Sequence, residues 1–285
     1  MTAPLIEGSK PNMNELLLEG LENRWRSYRL ELKRCRAEFS NEAVHDLRVA
    51  TRRMLALIQL LDFISKRPRL QKLIRAFKDQ LDEFDDLRDT QVILAELFEI
   101  VQDLPQLRDF QKHLQYSEER MLRALRKRIK KLKTSEIAKR VRKTHESVKA
   151  EMNGEFETQI MLAVDDAFLR VKQRNSEVDV AHPATIHRVR IAFKSLRYMV
   201  EIIHPLLQNF PTGNLKRMND YQTLMGEIQD AEVFTQMLAE YSEHASLSDP
   251  EPVHRYIEGR HADAISAFVA EQNQLDTFWR SAPDQ

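Results

Sequence analysis

The amino-acid sequence predicts an all-α protein, and three observations lead to that prediction. Apolar residues recur every three or four residues through most of the chain, which is the period of an amphipathic helix. The 285 residues include only six Gly and ten Pro but are rich in Leu, Ala, Glu, Lys and Arg, a composition that favours long helices over a turn-rich β fold. Two sequence blocks also occur twice at nearly the same spacing, so we expect two similar helical halves.

Pro, Gly and clusters of small polar residues interrupt the apolar pattern and divide the chain into eight expected helices. These helices are 12–38, 41–65, 69–102, 106–133, 135–173, 184–204, 214–242 and 253–280. Ser40, immediately before the second helix, has a side chain suited to cap it. Residues 1–11 are expected to be a flexible N-terminus, 12–173 a first four-helix half and 174–280 a second four-helix half of one domain.

The internal repeat consists of two blocks, each present once in either half. VHDLRVATRR, which contains His45, aligns with IHRVRIAFKS, which contains His187. LRDTQV, which contains Asp89, aligns with IQDAEV, which contains Asp230. The offset is 142 residues for the first block and 141 for the second. Because two blocks keep nearly one register, we interpret the chain as a duplicated unit, each copy an antiparallel four-helix bundle with short connections.

The first repeated block places three basic side chains on one side of the second expected helix. With about 100° of rotation per residue, His45, Arg48 and Arg52 fall within an arc of about 60°, opposite an apolar stripe that faces a core. The second block repeats this arrangement in the sixth expected helix, where four residues form the basic face: His187, Arg190, Lys194 and Arg197. We therefore expect two basic helix faces that reach solvent or a groove.

The residue types on these faces suit the oxygens of a phosphate chain. Arg offers a planar charged fork, Lys a mobile point charge, and His an N–H donor that gains charge near a polyanion. Lys and Arg bind a polyanion by displacing its condensed counterions, which needs no nucleophile, metal or cofactor. A basic helix face that occurs once is more often a solvated surface. Because this one is repeated, we interpret it as a polyanion-binding site.

Further candidates come from the charges around the motif. The fourth expected helix carries basic residues opposite its apolar stripe and the eighth does not, so the binding surface is expected to extend mainly over the first half. The additional candidate binding residues are Arg53, Arg75, Arg120, Arg123, Lys127, Lys130 and Lys216. Asp89 and Asp230 are candidates to orient a motif Arg or His; capping or solubilising their helices is the alternative role.

The formal net charge is zero, with 44 basic and 44 acidic residues, but the charge is unevenly distributed. Lys and Arg dominate 120–143, whereas acidic residues gather at 79–89 and 227–251. Zero net charge argues against indiscriminate coating of nucleic acid, while a local basic face can still bind an anion. The single Cys35 excludes an intramolecular disulfide, and no N-terminal signal or membrane-length apolar run is evident. We expect a cytoplasmic protein without membrane contact.

The repeated pattern, HxxRxxxR/K on one helix followed by L/I-x-D-x-x-V on a later helix, resembles the CHAD family, the conserved histidine α-helical domain. The likeness extends from the first expected helix to about residue 270. It implies two packed four-helix bundles related by pseudo-twofold symmetry, with basic residues lining a shared surface or central channel. It further implies binding of inorganic polyphosphate and, in bacteria, association with polyphosphate granules and the proteins found on them.

Other functions are weighed against polyphosphate binding. Some CHAD proteins carry a CYTH triphosphatase domain with an ExExK signature, but the nearest string here, at Glu155 and Glu157, lacks the lysine, so we expect no enzyme activity and no metal or cofactor. The main alternative is binding of an RNA or DNA backbone, although few aromatic residues other than Tyr198 accompany the motif. The remaining alternatives are a protein scaffold and a di-metal helical-bundle enzyme, the latter suggested by Glu42-x-x-His45.

Overall fold

The protein is built from α-helices joined by short turns. The computed structural model describes residues 13–150, 155–207, 210–211, 213–245 and 247–279, and within these ranges it contains no β-strand. The helices are α1 (Met13–Ala37), α2 (Asn41–Ser65), α3 (Pro68–Asp82), α4 (Asp85–Ile100), α5 (Arg108–Lys131), α6 (Ser135–Ala150), α7 (Glu155–Ser176), α8 (Ala184–Ile203), α9 (Asn214–Ser242) and α10 (Glu251–Glu271). The all-α prediction is confirmed, and the expected flexible segment 1–11 lies outside the described residues.

The expected helix 69–102 is two helices, α3 and α4. α3 ends at Asp82, α4 begins at Asp85, and the buried Phe84 lies at the junction between them. Acidic residues crowd this stretch, and in one continuous helix many of them would be neighbours three or four residues apart, where like charges repel. A new helix start places Asp85 and Asp86 in its first turn, where the helix dipole stabilises negative charge. The break therefore sets the direction of the Asp85 side chain.

The expected helix 135–173 corresponds to α6, which is described to Ala150, and α7, which is described from Glu155 to Ser176. The four residues 151–154 lie outside the described residues.

The hydrophobic core crosses the boundary between the two expected halves. Its main cluster includes Leu57 of α2 and Leu196 of α8, both fully buried, because the two motif helices pack against each other. A second cluster fills the end of the molecule formed by α4, α10, the start of α5 and the later part of α9. There the ring centroids of Phe110 and Phe234 are 6.1 Å apart. α4 and α9 also pack together, so the four helices that carry the repeated blocks lie side by side.

A helix that crosses a lipid bilayer needs about 20 consecutive, mostly apolar residues. None of the helices in the described part of the chain combines the length and the apolar composition needed to cross a membrane.

Candidate functional site

The first motif helix begins as the sequence predicts. The Ser40 side chain accepts a hydrogen bond from the backbone N–H of Ala43 at 3.1 Å, which caps α2. Glu42 is exposed in the first turn and pairs with Arg34 of α1, with 3.1 Å between Oε2 and Nη2. His45 is exposed and points away from the core. Nowhere in the described chain are three or more His, Cys, Asp or Glu side chains grouped to hold a metal ion.

The two motif helices bring their cations together in one place. α2 packs against α8, and the charges of Arg52, Arg190 and Arg48 all act on the ammonium group of Lys194. The positive charge of Arg52 also lowers the pKa of Arg190 and that of Arg48. We call these four residues the basic cluster. The sequence predicts two basic faces, one in each half, whereas the structure combines their inner residues in a single cluster.

Burial and mutual repulsion lower the pKa values of three residues of the basic cluster. Removal from water, reinforced by the neighbouring guanidinium groups, lowers the pKa of Lys194 to about 7. Burial next to Arg52 lowers the pKa of Arg48 to about 10, so this side chain stays charged at neutral pH. The pKa of Arg190 is lowered by burial as well, against the opposing effect of Asp230. The four cations therefore repel one another, and the carboxylates of Asp85, Asp89 and Asp230 offset part of their charge.

Arg48 is not on an exposed face. Only 5% of this residue is accessible to solvent, and its Nη2 donates to Oδ1 of Asp85 on α4 at 3.3 Å. The expectation of an exposed Arg48 is wrong for this reason. Sequence reasoning also missed Asp85 itself. It precedes Asp89 by four residues, which places both carboxylates on one face of α4, and that spacing is the signal that could have revealed it.

Asp89 and Asp230 lie beside the cluster without pairing to it. Neither carboxylate forms a hydrogen bond or an ion pair within the described residues, although Asp230 and Asp89 act on each other electrostatically. Burial raises the pKa of both, and the charges of Asp85 and Asp230 raise that of Asp89 further. Among the described residues, the carboxylate that contacts an arginine of the basic cluster is that of Asp85. Asp89 and Asp230 interact with the arginines of the cluster through their charges alone, Asp89 with Arg48 and Asp230 with Arg190.

Three buried nitrogen atoms of the motif residues have no hydrogen-bond partner among the described residues. They are Nε of Arg48, Nε of Arg190 and Nδ1 of His187. Burial together with Arg190 lowers the pKa of His187, so its imidazole is neutral at pH 7. Buried polar groups are nearly always hydrogen-bonded in folded proteins, and leaving one unpaired costs about 1–3 kcal/mol. Two of the three, the Nε–H groups of Arg48 and Arg190, are donors, one on each motif helix, and they are available to the acceptor atoms of a ligand.

Arg53 and Arg197 are engaged in an ion pair that joins α2 to α8. Arg53 Nε lies 3.4 Å from Glu201 Oε1, and Arg197 Nη1 lies 3.6 Å from Glu201 Oε2. Arg197 also donates from Nε to Oε1 of Gln222 at 3.0 Å, and its guanidinium carbon lies 4.4 Å from the centre of the Tyr198 ring. These two arginines therefore hold the motif helices together, outside the basic cluster.

The remaining predicted residues lie away from the cluster. Arg75 on α3 is exposed, and so is Lys216 on α9, whose Nζ is 4.0 Å from Oδ2 of Asp220. The basic residues of α5 are also exposed, and one of them, Arg120, lines a groove of about 870 Å³ between α4, α5 and α9 together with Asp89. The α5 residues in question are Arg120, Arg123, Lys127 and Lys130.

Comparison with known proteins agrees with the resemblance to the CHAD family and with the helical fold. The CHAD domain sequence pattern matches residues 19–239. The crystal structure of the CHAD domain from the plant Ricinus communis is similar with a TM-score of 0.68 and 18% sequence identity, over 97% of this chain and 93% of that chain; at this identity the likeness shows a shared fold. The chain matches no curated protein. Since the family pattern spans well over half of its length, the chain belongs to the CHAD domain family.

Proposed function

We propose that the protein binds inorganic polyphosphate at the basic cluster. The observation that carries this proposal is the convergence of Arg48, Arg52, Arg190 and Lys194 from two helices, with buried arginine nitrogens that lack partners. A phosphate chain presents closely spaced oxygen acceptors, each able to take hydrogen bonds from these donors. The CHAD family is associated with polyphosphate binding in general, which supports the same ligand here.

Nucleic-acid backbone binding is the alternative, and one contact speaks against it. Proteins that bind single strands without sequence preference usually stack bases on aromatic side chains. Tyr198, which follows the second motif in sequence, packs against the guanidinium of Arg197, and Phe193 within that motif is fully buried. One face of the Tyr198 ring is therefore covered by this guanidinium and is not free to stack on a base. A polymer that consists of phosphate alone needs no such platform, so the site suits polyphosphate better than RNA or DNA.

The proposal includes the duplicated, pseudo-twofold architecture expected from the sequence. Helix positions support it, because α8 begins 143 residues after α2 and α9 ends 142 residues after α4, close to the offset of 142 between His45 and His187. α7 also packs against α8 as α1 packs against α2. This packing makes α7 the counterpart of α1, so we place the boundary between the halves before α7 rather than after residue 173. Two copies of one motif helix then meet about the pseudo-twofold axis and form one site.

We further propose that the chain binds polyphosphate without hydrolysing it and acts in the organisation of polyphosphate granules. The roles assigned above to the cluster are those of donors and charges, and none requires a nucleophile or a metal-bound water. Incubation of the protein with polyphosphate and Mg²⁺ or Mn²⁺ should release no more orthophosphate than a control without protein. Release above that control would overturn the binding-only proposal.

A competition experiment tests the choice of ligand. Labelled long-chain polyphosphate is bound to the protein and displaced with unlabelled polyphosphate or with single-stranded RNA at equal phosphate concentration and fixed salt. We expect polyphosphate to compete at least about tenfold better than RNA, and the variant R52Q/K194Q to lose affinity for it. The matched control is K72Q/K78Q, which removes two exposed charges from α3. Equal competition by RNA would instead favour nucleic-acid binding.

A further inference from the structure

One face of α5 carries a row of cations outside the basic cluster. Arg120, Arg123, Lys127 and Lys130 fall within an arc of about 80° on the helix, and all four are exposed. At a rise of about 1.5 Å per residue the row is about 15 Å long. We call these four residues the α5 stripe. The corresponding stretch of α10 does not repeat them.

The α5 stripe is carried by a firmly held part of the helix. Leu125 and Ile129, on the opposite side of α5, are buried in the main core. The carboxyl end of the helix is held by Arg36 of α1, whose Nε donates to the carbonyl of Ile129 at 3.1 Å and whose Nη2 donates to the carbonyl of Leu132. The cations therefore project from a helix that is already in place, so binding them does not require a segment to become ordered.

Few acidic residues neutralise this surface. Between Arg120 and Lys149 the sequence contains thirteen Lys or Arg and only two acidic residues, Glu136 and Glu146. Within the α5 stripe, Arg123 has an ion-pair partner, Glu119, at 3.5 Å, and both side chains are exposed. The other three cations of the stripe form no ion pair within the described residues. Exposed cations of this density bind polyanions by releasing their counterions.

An acidic groove adjoins both the α5 stripe, through Arg120, and the basic cluster, through Asp89. The groove between α4, α5 and α9 is lined by Asp86, Asp89, Glu240 and Glu243, with Arg120 on its α5 wall. Asp89 lines the groove and also interacts electrostatically with Arg48 of the basic cluster. Carboxylates repel phosphate, so a polyphosphate chain would not settle in the groove. A short chain can occupy one basic surface, and only a longer chain can cross the groove and reach the other.

We propose that the α5 stripe is a second binding surface for the same polyphosphate chain and makes affinity depend on chain length. This inference rests on the proposed function of the basic cluster. Once one part of a chain is held at the cluster, the rest is tethered near the stripe at a high effective concentration. A long chain therefore gains affinity from the stripe, whereas a chain too short to cross the groove gains none.

The test compares tripolyphosphate with long-chain polyphosphate on three forms of the intact chain. The parent should bind the long chain at least about tenfold more tightly than tripolyphosphate. The variant K127E/K130E should lose about tenfold in affinity for the long chain, with a shallower salt dependence, and stay within about twofold for tripolyphosphate. The control K72E/K78E reverses two exposed charges on α3 and should leave the ratio of the two affinities unchanged.

Thermal unfolding verifies that each variant is folded, and K127Q/K130Q replaces the charge reversal if it is not. A stripe variant that weakens both ligands equally, or neither, overturns the inference. The same conclusion follows if the parent binds both chain lengths with equal affinity, or if the α3 control changes the ratio as much as the stripe variant does. Failure of the parent to bind any polyphosphate would count against the basic cluster and the proposed function instead.

Discussion

Arg48 and Asp85 form the contact that connects the first motif helix to α4. Nη2 of Arg48 lies 3.3 Å from Oδ1 of Asp85, and Arg48 is almost completely buried while about half of the Asp85 side chain is exposed. In the absence of ligand, Asp85 supplies part of the negative charge that the buried guanidinium needs. A phosphate chain would supply the same charge. Asp85 is therefore both a stabilising partner and a competitor of the ligand.

Replacing Asp85 with Asn should have opposite effects on stability and on binding. The free energy of unfolding should fall by about 1 kcal/mol, a discounted value because Asp85 is half exposed. The affinity for tripolyphosphate should rise about threefold or more, since a competing negative charge is removed. Chemical denaturation and calorimetric titration measure the two quantities. The control Asp86→Asn removes the same charge one residue further on and should change affinity less than about twofold. Weaker binding by D85N would refute competition.

Binding should take up a proton at Lys194. Its pKa is about 7 without ligand, and a bound polyanion raises it towards the ordinary value of a lysine. Between these two values the complex holds more protons than the free protein, so affinity should fall as pH rises above about 7, by up to about tenfold per pH unit. The lowered pKa of His187 adds a similar dependence at lower pH.

Titration calorimetry in two buffers with different ionisation enthalpies measures this proton uptake. The variant Lys194→Arg keeps its charge over the whole range and should therefore bind with a much flatter pH dependence between about pH 7 and about pH 9. If K194R and the parent lose affinity with the same slope, the proton is taken up elsewhere.

Asp89 should limit the stability of the free protein at neutral pH. Its pKa is raised in the folded state, so the folded chain binds the proton more tightly than the unfolded chain. The stability that this group contributes is therefore present at low pH and is lost as pH rises through the folded pKa. Asp89→Asn should raise the melting temperature at about pH 7 and give no such gain at about pH 4. A lower melting temperature of Asp89→Asn at neutral pH would contradict this prediction, because it would mean that the charged carboxylate stabilises the fold.

Much of the fold follows from the sequence, and the limits have physical causes. The apolar period predicts the helices well, and the Ser40 cap is confirmed. Local spacing does not predict the break at Phe84, because that break depends on crowded acidic residues and on a buried aromatic anchor. The helical wheel places Arg48 opposite the core of its own helix. It cannot show that Arg48 is buried and contacts Asp85 of α4, since that contact joins residues 37 positions apart.

Arg53 provides a test of what the structure adds to the sequence. The sequence places it among the binding residues, but its Nε lies 3.4 Å from Glu201 Oε1, and this ion pair lies outside the basic cluster. We therefore expect Arg53→Gln to change tripolyphosphate affinity by less than about twofold and to lower the free energy of unfolding by less than about 1 kcal/mol. Arg52→Gln, one residue earlier, is the matched control and should weaken binding about tenfold. Equal losses in both variants would place Arg53 in the site.

The central claim is that two motif helices form one polyanion site, and the stoichiometry of tripolyphosphate binding tests it most directly. Calorimetric titration of the parent should give one ligand per chain. R52Q on α2 and K194Q on α8 should each lower the affinity of that one site by about tenfold and leave the stoichiometry unchanged. Two equivalent ligands per chain, with R52Q removing one and K194Q the other, would contradict the claim. That result would show that each motif forms a separate binding site.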